Sequence, residues 1–320
     1  MSSTKIAFTS CARYHPQVRQ TVWLDIAESD PDYLLLLGDQ IYMDFGLWPF
    51  TPEHQGWTKP LSVKEFASVM RSRYEQQWAV PEFAALLAQM RKKRGLLGVY
   101  DDHDFAWNNV YGADTLSHPE YLVSEKRDVA RAMFHEFMNC APSPPNLHGV
   151  VDTEHARIIL LDNRYYATPA KSADPVLMGA EQMQFLSTAL DHQLRYTLVA
   201  GGLTLTQSSE CWSKYKREYG EFCTLVKGKP VAYLGGDVHR NVFVPPAWNN
   251  PPCYELISSG ASVGVLGLPF EFDRRRNWTL LEVNELCILV NQYDKSGVNL
   301  YRVRGQDWGY DNLGRRKYVR

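Results

Sequence analysis

An α/β fold with its ligand site at the carboxyl edge of a parallel sheet is predicted by three features of this 320-residue chain. The first is Pro31-Asp32-Tyr33-Leu34-Leu35-Leu36-Leu37-Gly38-Asp39-Gln40-Ile41-Tyr42, an apolar strand that ends in a glycine, a carboxylate and a phenol. A strand this apolar is buried on both faces, and the polar residues after it emerge where α/β folds keep their ligands. The second is repetition. Lys5-Ile6-Ala7-Phe8-Thr9 runs into Ser10-Cys11, Leu96-Leu97-Gly98 into Val99-Tyr100-Asp101-Asp102-His103-Asp104, and Val231-Ala232-Tyr233 into Leu234-Gly235-Gly236-Asp237-Val238-His239. A lone Asp or His after a strand is ordinarily a cap, but four endings carrying Cys, Asp, Tyr and His fit metal-ligand chemistry better. The third is a strand, helix, strand start, whose right-handed crossover places Cys11 and Asp39 on one edge.

The elements follow in order. Gln17 to Ala27 reads as an amphipathic helix with Val18, Val22 and Ile26 on one face, stopped by Pro31. Residues 43 to 60 gather Trp48, Pro49, Phe50, Pro52, His54, Trp57 and Pro60 with little periodicity, and helices are expected at about 62–78 and 81–93. Together 43–95 reads as an insertion covering the site. A helix is expected over 120–139, and the Pro-rich 141–146 connects two halves of a single 1–320 domain. Strands dominate beyond 149, with helices at about 179–193 and 208–219. The run from Cys287 to Val303 has a hairpin pattern around Lys295-Ser296-Gly297.

Composition narrows the function. A hydrophobic fraction of 45% and a charged fraction of 22% are those of a globular chain, and a net charge of -2 provides no global field for nucleic acid or anionic membrane. Arg274-Arg275-Arg276 and Arg315-Arg316-Lys317 are expected as solvated surface. No run reaches the length of a membrane span and the amino terminus carries no signal pattern, so a cytoplasmic protein is the expectation. The six cysteines form no C-x-x-C pair, consistent with reduced thiols. Neither Gly201-Gly202 nor Gly235-Gly236 lies in a nucleotide-binding glycine motif.

Carboxylate and phenolate are hard donors suited to a ferric or similarly hard ion, and a bridging carboxylate permits a second metal. Two ions suit phosphoester hydrolysis, in which one generates hydroxide while both clamp phosphate oxygens. Gly38-Asp39-Gln40-Ile41-Tyr42 matches the G-D-x-x-Y form of the calcineurin-like metallophosphoesterases, which the chain resembles. Ser10-Cys11, Asp102-His103-Asp104 and Asp237-Val238-His239 depart from the usual motifs of that superfamily. With Leu161-Asp162-Asn163-Arg164-Tyr165, Met178-Gly179-Ala180-Glu181-Gln182 and Glu255-Leu256-Ile257-Ser258-Ser259, they make the chain similar to the alkaline phosphatase D (PhoD-like) family over about residues 6 to 260.

That resemblance implies a four-layer α/β/β/α metallophosphoesterase sandwich with a helical lid insertion. It implies Fe3+ held by Cys11, Asp39, Tyr42 and His239, with Asp39 bridging to Ca2+ or another divalent ion on Asp102, Asp237 and Asn108. The aspartates that replace Asn and His independently favour an oxygen-liking second ion over zinc. Hydroxide between the ions would attack phosphorus in line while His103 protonates the leaving group, its tautomer held by Asp101 or Asp104. Arg13 and Arg164 are the candidates to clamp phosphate oxygens. The substrate expected is a small phosphate ester, a monoester, a diester or a phospholipid. Trp48, Trp57, Trp107, Tyr111, Tyr165 and Tyr166 are candidates to select its organic group. The family's lone His motif has no match in Leu198-Val199-Ala200-Gly201-Gly202-Leu203. A noncatalytic, metal-stabilised binding protein of the same fold is the rival reading.

Overall fold

In the computed structural model, which describes residues 2–14, 19–44, 58–113, 122–247, 251–263 and 276–317, the chain starts with the expected crossover. Strand β1 (Thr4–Thr9) pairs in parallel with β2 (Tyr33–Leu37), and α1 (Val22–Glu28) joins them. Gln17 and Val18 of the expected helix lie outside the described residues, and ahead of α1 the Gln20 side chain bonds to Gln77 and to the Trp23 indole. Helix α2 (Val63–Trp78) starts at a capping box of Ser62 and Glu65, and α3 (Pro81–Lys93) has its proline in the first turn, where no amide is needed. Both lead to β3 (Leu96–Val99), parallel to β2.

These two helices lie in the β2–β3 crossover. Phe83, Leu86, Leu87 and Met90 of α3 enter the core, α3 packs on α1, and α2 packs on α5 (Ser124–Met138). The aromatic stretch 45–57, on which the covering role falls, lies outside the described residues.

After the four-residue α4 (Asp102–Phe105) and α5, residues 141–146 run beside β3, where the Gly98 amide bonds to the Ala141 carbonyl, and lead into the second sheet. Its strands are β4 (Gly149–Asp152), β5 (Ala156–Leu160), β6 (Tyr196–Ala200), β7 (Val231–Gly235), β8 (Val242–Val244) and β9 (Tyr254–Ile257). The order is β4-β5-β6-β7-β9-β8, with β5, β6, β7 and β9 parallel. Helix α6 (Gly179–Ala189) follows β5. The helix expected at 208–219 is displaced: Trp212–Lys214 forms one 3-10 turn, and α7 runs Lys216–Val226 with Phe222 and Val226 buried. The chain then returns to the first sheet through β10 (Asn277–Val283), β11 (Cys287–Asp294), β12 (Gly297–Arg304) and β13 (Tyr310–Lys317), giving the order β13-β12-β11-β10-β1-β2-β3.

Side-chain alternation shows how the layers stack. Along β5 and β6, Ile158, Leu160, Leu198 and Ala200 join the core shared with the first sheet, whereas Ile159, Leu161 and Val199 pack with Leu186 of α6 and Phe222 of α7. A period of two separates two faces, so the second sheet is covered by the first sheet on one side and by helices on the other. The result is the α/β/β/α sandwich. Arg315, Arg316 and Lys317 are exposed on edge strand β13, as expected of a charged edge, but Arg276 is only 7% exposed and donates to Thr21 Oγ1.

Candidate metal centre

The carboxyl ends of β1, β2, β3, β5, β7 and β9 converge on one edge, tied by short backbone bonds. Gly260 and Ala261 amides donate to the Ser10 carbonyl and Arg13 to that of Ser262, joining the two sheets, while Ala12 donates to the Asp39 carbonyl within the first sheet and Gly236 to that of Gly202 within the second. Within this frame Cys11, Asp39, Asp237 and His239 all have left-handed backbone, with φ of 62°, 56°, 72° and 55°. Each such residue costs about 1–3 kcal/mol unless its surroundings hold it, and such residues concentrate at functional sites. Gly38, at φ 88°, is obligatory for a second reason: a Cβ there would lie 2.3 Å from that of Asp101.

Cys11 and Asp39, predicted to share an edge, are in contact. Cys11 Sγ and Tyr42 Oη each donate to Asp39 Oδ2 at 3.4 Å, and Ser10 Oγ lies 3.3 Å from Cys11 Sγ. The His103 amide donates to Asp39 Oδ1 (3.3 Å) and Asp102 Oδ1 (3.0 Å), while the Asn109 amide holds Asp102 Oδ2 at 2.6 Å. Ligand-type atoms of Asp39, Asp102 and His103 lie within 4.8 Å of one another. From the second sheet come Asp237 and His239, the latter anchored by its amide on Ser259 Oγ (2.5 Å).

This crowding perturbs the acids. Burial pushes Asp39 well above the ordinary carboxyl range. His103 opposes that rise, while Asp102, Asp101 and Asp104 add to it. Burial also raises the Cys11 thiol, with Asp39 and Asp237 adding to the rise, and the Tyr42 phenol, with Cys11 and Asp39 adding to it. Asp237 is pushed up to about 7 by burial and then by Asp101 and Asp102. Asp102 goes the other way, since His103, Arg164 and the Asn109 amide outweigh its burial. A buried thiol, phenol and carboxyls that hold protons only because their negative charges lack an offset form a donor set that a cation completes. The residues fit metal ions.

His103 is buried against this cluster, its ring stacked on Tyr42 at 4.4 Å between centroids. Its orienting partner was not evident from sequence. Asp101 is held by Arg164, and Asp104 accepts the Asp101 and Gln40 amides. Asp44, fully buried, instead accepts from His103 Nδ1 at 2.6 Å, and its other oxygen takes the Asn108 amide at 2.9 Å. Burial alone would lower the imidazole pKa, but Asp44, Asp102 and Asp39 raise it well above its ordinary value. That shift favours the imidazolium, the form a general acid would use. The Asn108 side chain is half-buried and lines an adjoining cleft.

Arg164, expected to clamp phosphate, is 1% exposed and already engaged. Nε donates to Asp101 at 2.6 Å, Nη1 to Glu210 at 2.5 Å, and Nη2 lies 3.9 Å from Asp102. Nε and Nη1 thus offset the charge of the acids behind the centre, while Nη2 has no hydrogen-bond partner among the described residues. Arg164→Gln leaves Asp101 and Glu210 buried without their cation, an expected loss of about 3–5 kcal/mol. Both carboxyls already sit at about 7 with the arginine present, and removing it raises them further. Raised carboxyl pKa values favour the folded state at low pH, so urea titrations should show a smaller loss at pH 5 than at pH 8. Arg13 is buried beside Tyr42 and Asp44 and lines a cavity of ≈ 20 Å³ with Tyr42 and Arg73.

Glu210 was missed in sequence because it lies ten residues past the end of β6, in a polar run that reads as a helix start. Where β6 ends, Gly202 packs directly against the Asp101 side chain, so no ligand side chain projects there. Among the aromatic candidates, Trp107 and Tyr111 line the cleft. Tyr165 instead bonds to Asp128 beneath Arg131, and Tyr166 is exposed. Trp48 and Trp57 lie outside the described residues.

Similarity to known proteins agrees with this geometry. The solved structure of PhoD superposes with a TM-score of 0.73 at 15% identity, covering 100% of this chain and 73% of that one. GAP50, described as the anchor in the inner membrane complex of Plasmodium, covers 100% and 91% at 11% identity with a TM-score of 0.44. A comparison with curated proteins finds no match. The PhoD-like phosphatase family matches residues 6–259, a span that holds every ligand candidate from Cys11 to His239, and the chain belongs to that family as a metal-dependent phosphoric ester hydrolase.

Proposed function

We propose that the protein hydrolyses small phosphate mono- or diesters at a centre of two unlike metal ions. The observation that carries this reading is Asp39, whose Oδ2 meets both the Cys11 thiol and the Tyr42 phenol while Oδ1 faces the His103 and Asp102 side of the cluster. A carboxylate so placed can bridge. Cys11, Tyr42 and His239 complete a set suited to Fe3+. Asp102, Asp237 and the Asn108 amide complete an oxygen set suited to Ca2+ or another hard divalent ion. When bound, such ions offset phosphate charge and make water nucleophilic near neutral pH.

The chain's own residues do the rest. His103, oriented by Asp44 and stored as the imidazolium, protonates the departing alkoxide. Arg13, beside Tyr42, is positioned to attract a phosphate oxygen, while Arg164 keeps Asp101 and Asp102 from repelling the substrate. Among the described residues no helix is long and apolar enough to cross a membrane. All six cysteines are unpaired thiols, which supports a reducing, cytoplasmic setting.

The test is turnover of phenyl phosphate and of a bis-aryl phosphodiester before and after dialysis against chelator. Activity on at least one ester, lost on stripping and restored by Fe3+ with Ca2+, is expected. Metal-loaded protein inert on both esters would favour a binding protein of the same fold.

A further inference from the structure

Glu255, on β9, is fully buried and takes no part in the chemistry described above. A buried carboxylate is costly unless its oxygens are satisfied. Its partners here are two amides and a hydroxyl rather than a cation. Oε1 accepts from the Leu205 and Thr206 amides at 2.6 and 3.1 Å, and Oε2 from the Thr206 hydroxyl at 2.6 Å. Thr206 Oγ1 in turn accepts from Gln207 Nε2 at 2.8 Å. These bonds fix the start of the loop that follows β6. The ends of that loop are tied together, since the Trp212 and Ser213 amides donate to the Thr204 and Leu205 carbonyls. Its middle turns around Ser208, whose Oγ donates to the Glu210 carbonyl and accepts from the Glu210 amide at 3.1 Å.

Two side chains of this loop meet the acids of the centre. The Ser208 hydroxyl reaches the Asp237 carboxyl, where its hydrogen bond offsets part of that acid's rise. Glu210 Oε1 accepts from Arg164 Nη1, whose guanidinium lies 3.9 Å from Asp102. Asp102 and Asp237 are the carboxylates assigned to the second ion, whereas the Cys11, Asp39 and Tyr42 donors of the iron site follow β1 and β2 of the first sheet. We infer that Glu255 is a positioning residue for the second ion. By fixing Leu205 and Thr206 it sets where Ser208 and Glu210 stand, and through them Asp237 and the pair of Arg164 with Asp102. The inference rests on the two-ion reading of the centre.

Glu255→Ala leaves both amides without their acceptor, whereas Glu255→Gln keeps an oxygen for them and turns an amide group toward the Thr206 hydroxyl, which rotates to accept. In metal-loaded protein, elemental analysis of the Ala variant should find iron retained and the second ion depleted. Ca2+ titration of protein stripped of that ion by EGTA should give a dissociation constant raised about tenfold or more, as for other residues that hold a metal ligand in place. The Gln variant should recover most of the affinity, and the tyrosinate-to-iron absorbance should be unchanged in both. Thr206→Val, which loses the hydroxyl bond but keeps both amide bonds, covers an Ala variant that does not fold, with an expected rise of about fivefold. Iron and second ion lost in parallel, Ca2+ affinity unaltered in the Ala or Val variant, or a Gln variant as weak as Ala overturns the inference. An unaltered protein that holds no second ion overturns it together with the two-ion reading. Both ions bound without turnover of any ester would sink the phosphoesterase reading alone.

Discussion

Replacing Asp39 by Asn is expected to abolish turnover, lowering kcat on phenyl phosphate by at least about 10³-fold, or about 4 kcal/mol. The reason is geometric. Asp39 is the only described side chain that contacts Cys11, Tyr42 and the His103 amide at once, so an amide there removes the negative charge on which both proposed ion sites depend. Stability should move in the opposite direction. The Asp39 carboxyl is held well above its ordinary range by burial and by neighbouring carboxylates. Stability that depends on keeping it protonated is present at low pH and is lost as pH rises toward that raised value. An amide has no such proton to lose. The metal-stripped Asn variant is therefore expected to melt about 5 °C above the metal-stripped parent at pH 8, with the difference shrinking toward pH 4. Calorimetry at the two pH values separates this pattern from simple misfolding, in which the variant would melt lower throughout.

The second large effect lies at Asp44. Its carboxylate holds His103 Nδ1 at 2.6 Å and contributes to raising the imidazole pKa. In Asp44→Asn, the imidazole loses both orientation and charge support, so its pKa falls toward the ordinary histidine value. The protonated fraction is then lost at lower pH, and the alkaline limb of the rate profile moves down. Because the acid matters only when the leaving group needs a proton, the loss should be about 10²-fold or more on alkyl phosphates and far smaller on 4-nitrophenyl phosphate. His103→Asn should reproduce the split. Equal losses on both esters, with an unshifted alkaline limb, would show that Asp44 merely supports the fold.

The contrast between Asp39 and Asp44 shows what could be read in the chain. Asp39 follows an apolar strand directly, as Cys11, Asp102 and Asp237 do, so one rule about strand ends recovers most of the centre and the sheet edge that carries it. Asp44 lies 59 residues before His103 in a segment without periodicity, and only the three-dimensional turn after β2 brings them together. Glu210 and Arg164 are likewise joined across 46 residues. The identity of Arg164 was legible, but its partners Asp101 and Glu210, which take Nε and Nη1, were not. The crossover helices were placed almost to the residue from their sequence pattern and, for the second, from Pro81, whereas their packing against α1 and α5 depended on tertiary contacts. Strand β13, charged and without alternation, pairs through its backbone on a sheet edge and left no pattern to find.

The most direct test of the two-metal centre is elemental analysis of protein purified without added metal, paired with its visible absorbance spectrum before and after Tyr42→Phe. A centre with Tyr42 on ferric iron predicts iron together with a second, oxygen-liking ion in near-equal amounts, and a tyrosinate charge-transfer band that disappears in the variant. Colourless protein containing zinc alone, with a spectrum unchanged by the substitution, would contradict it.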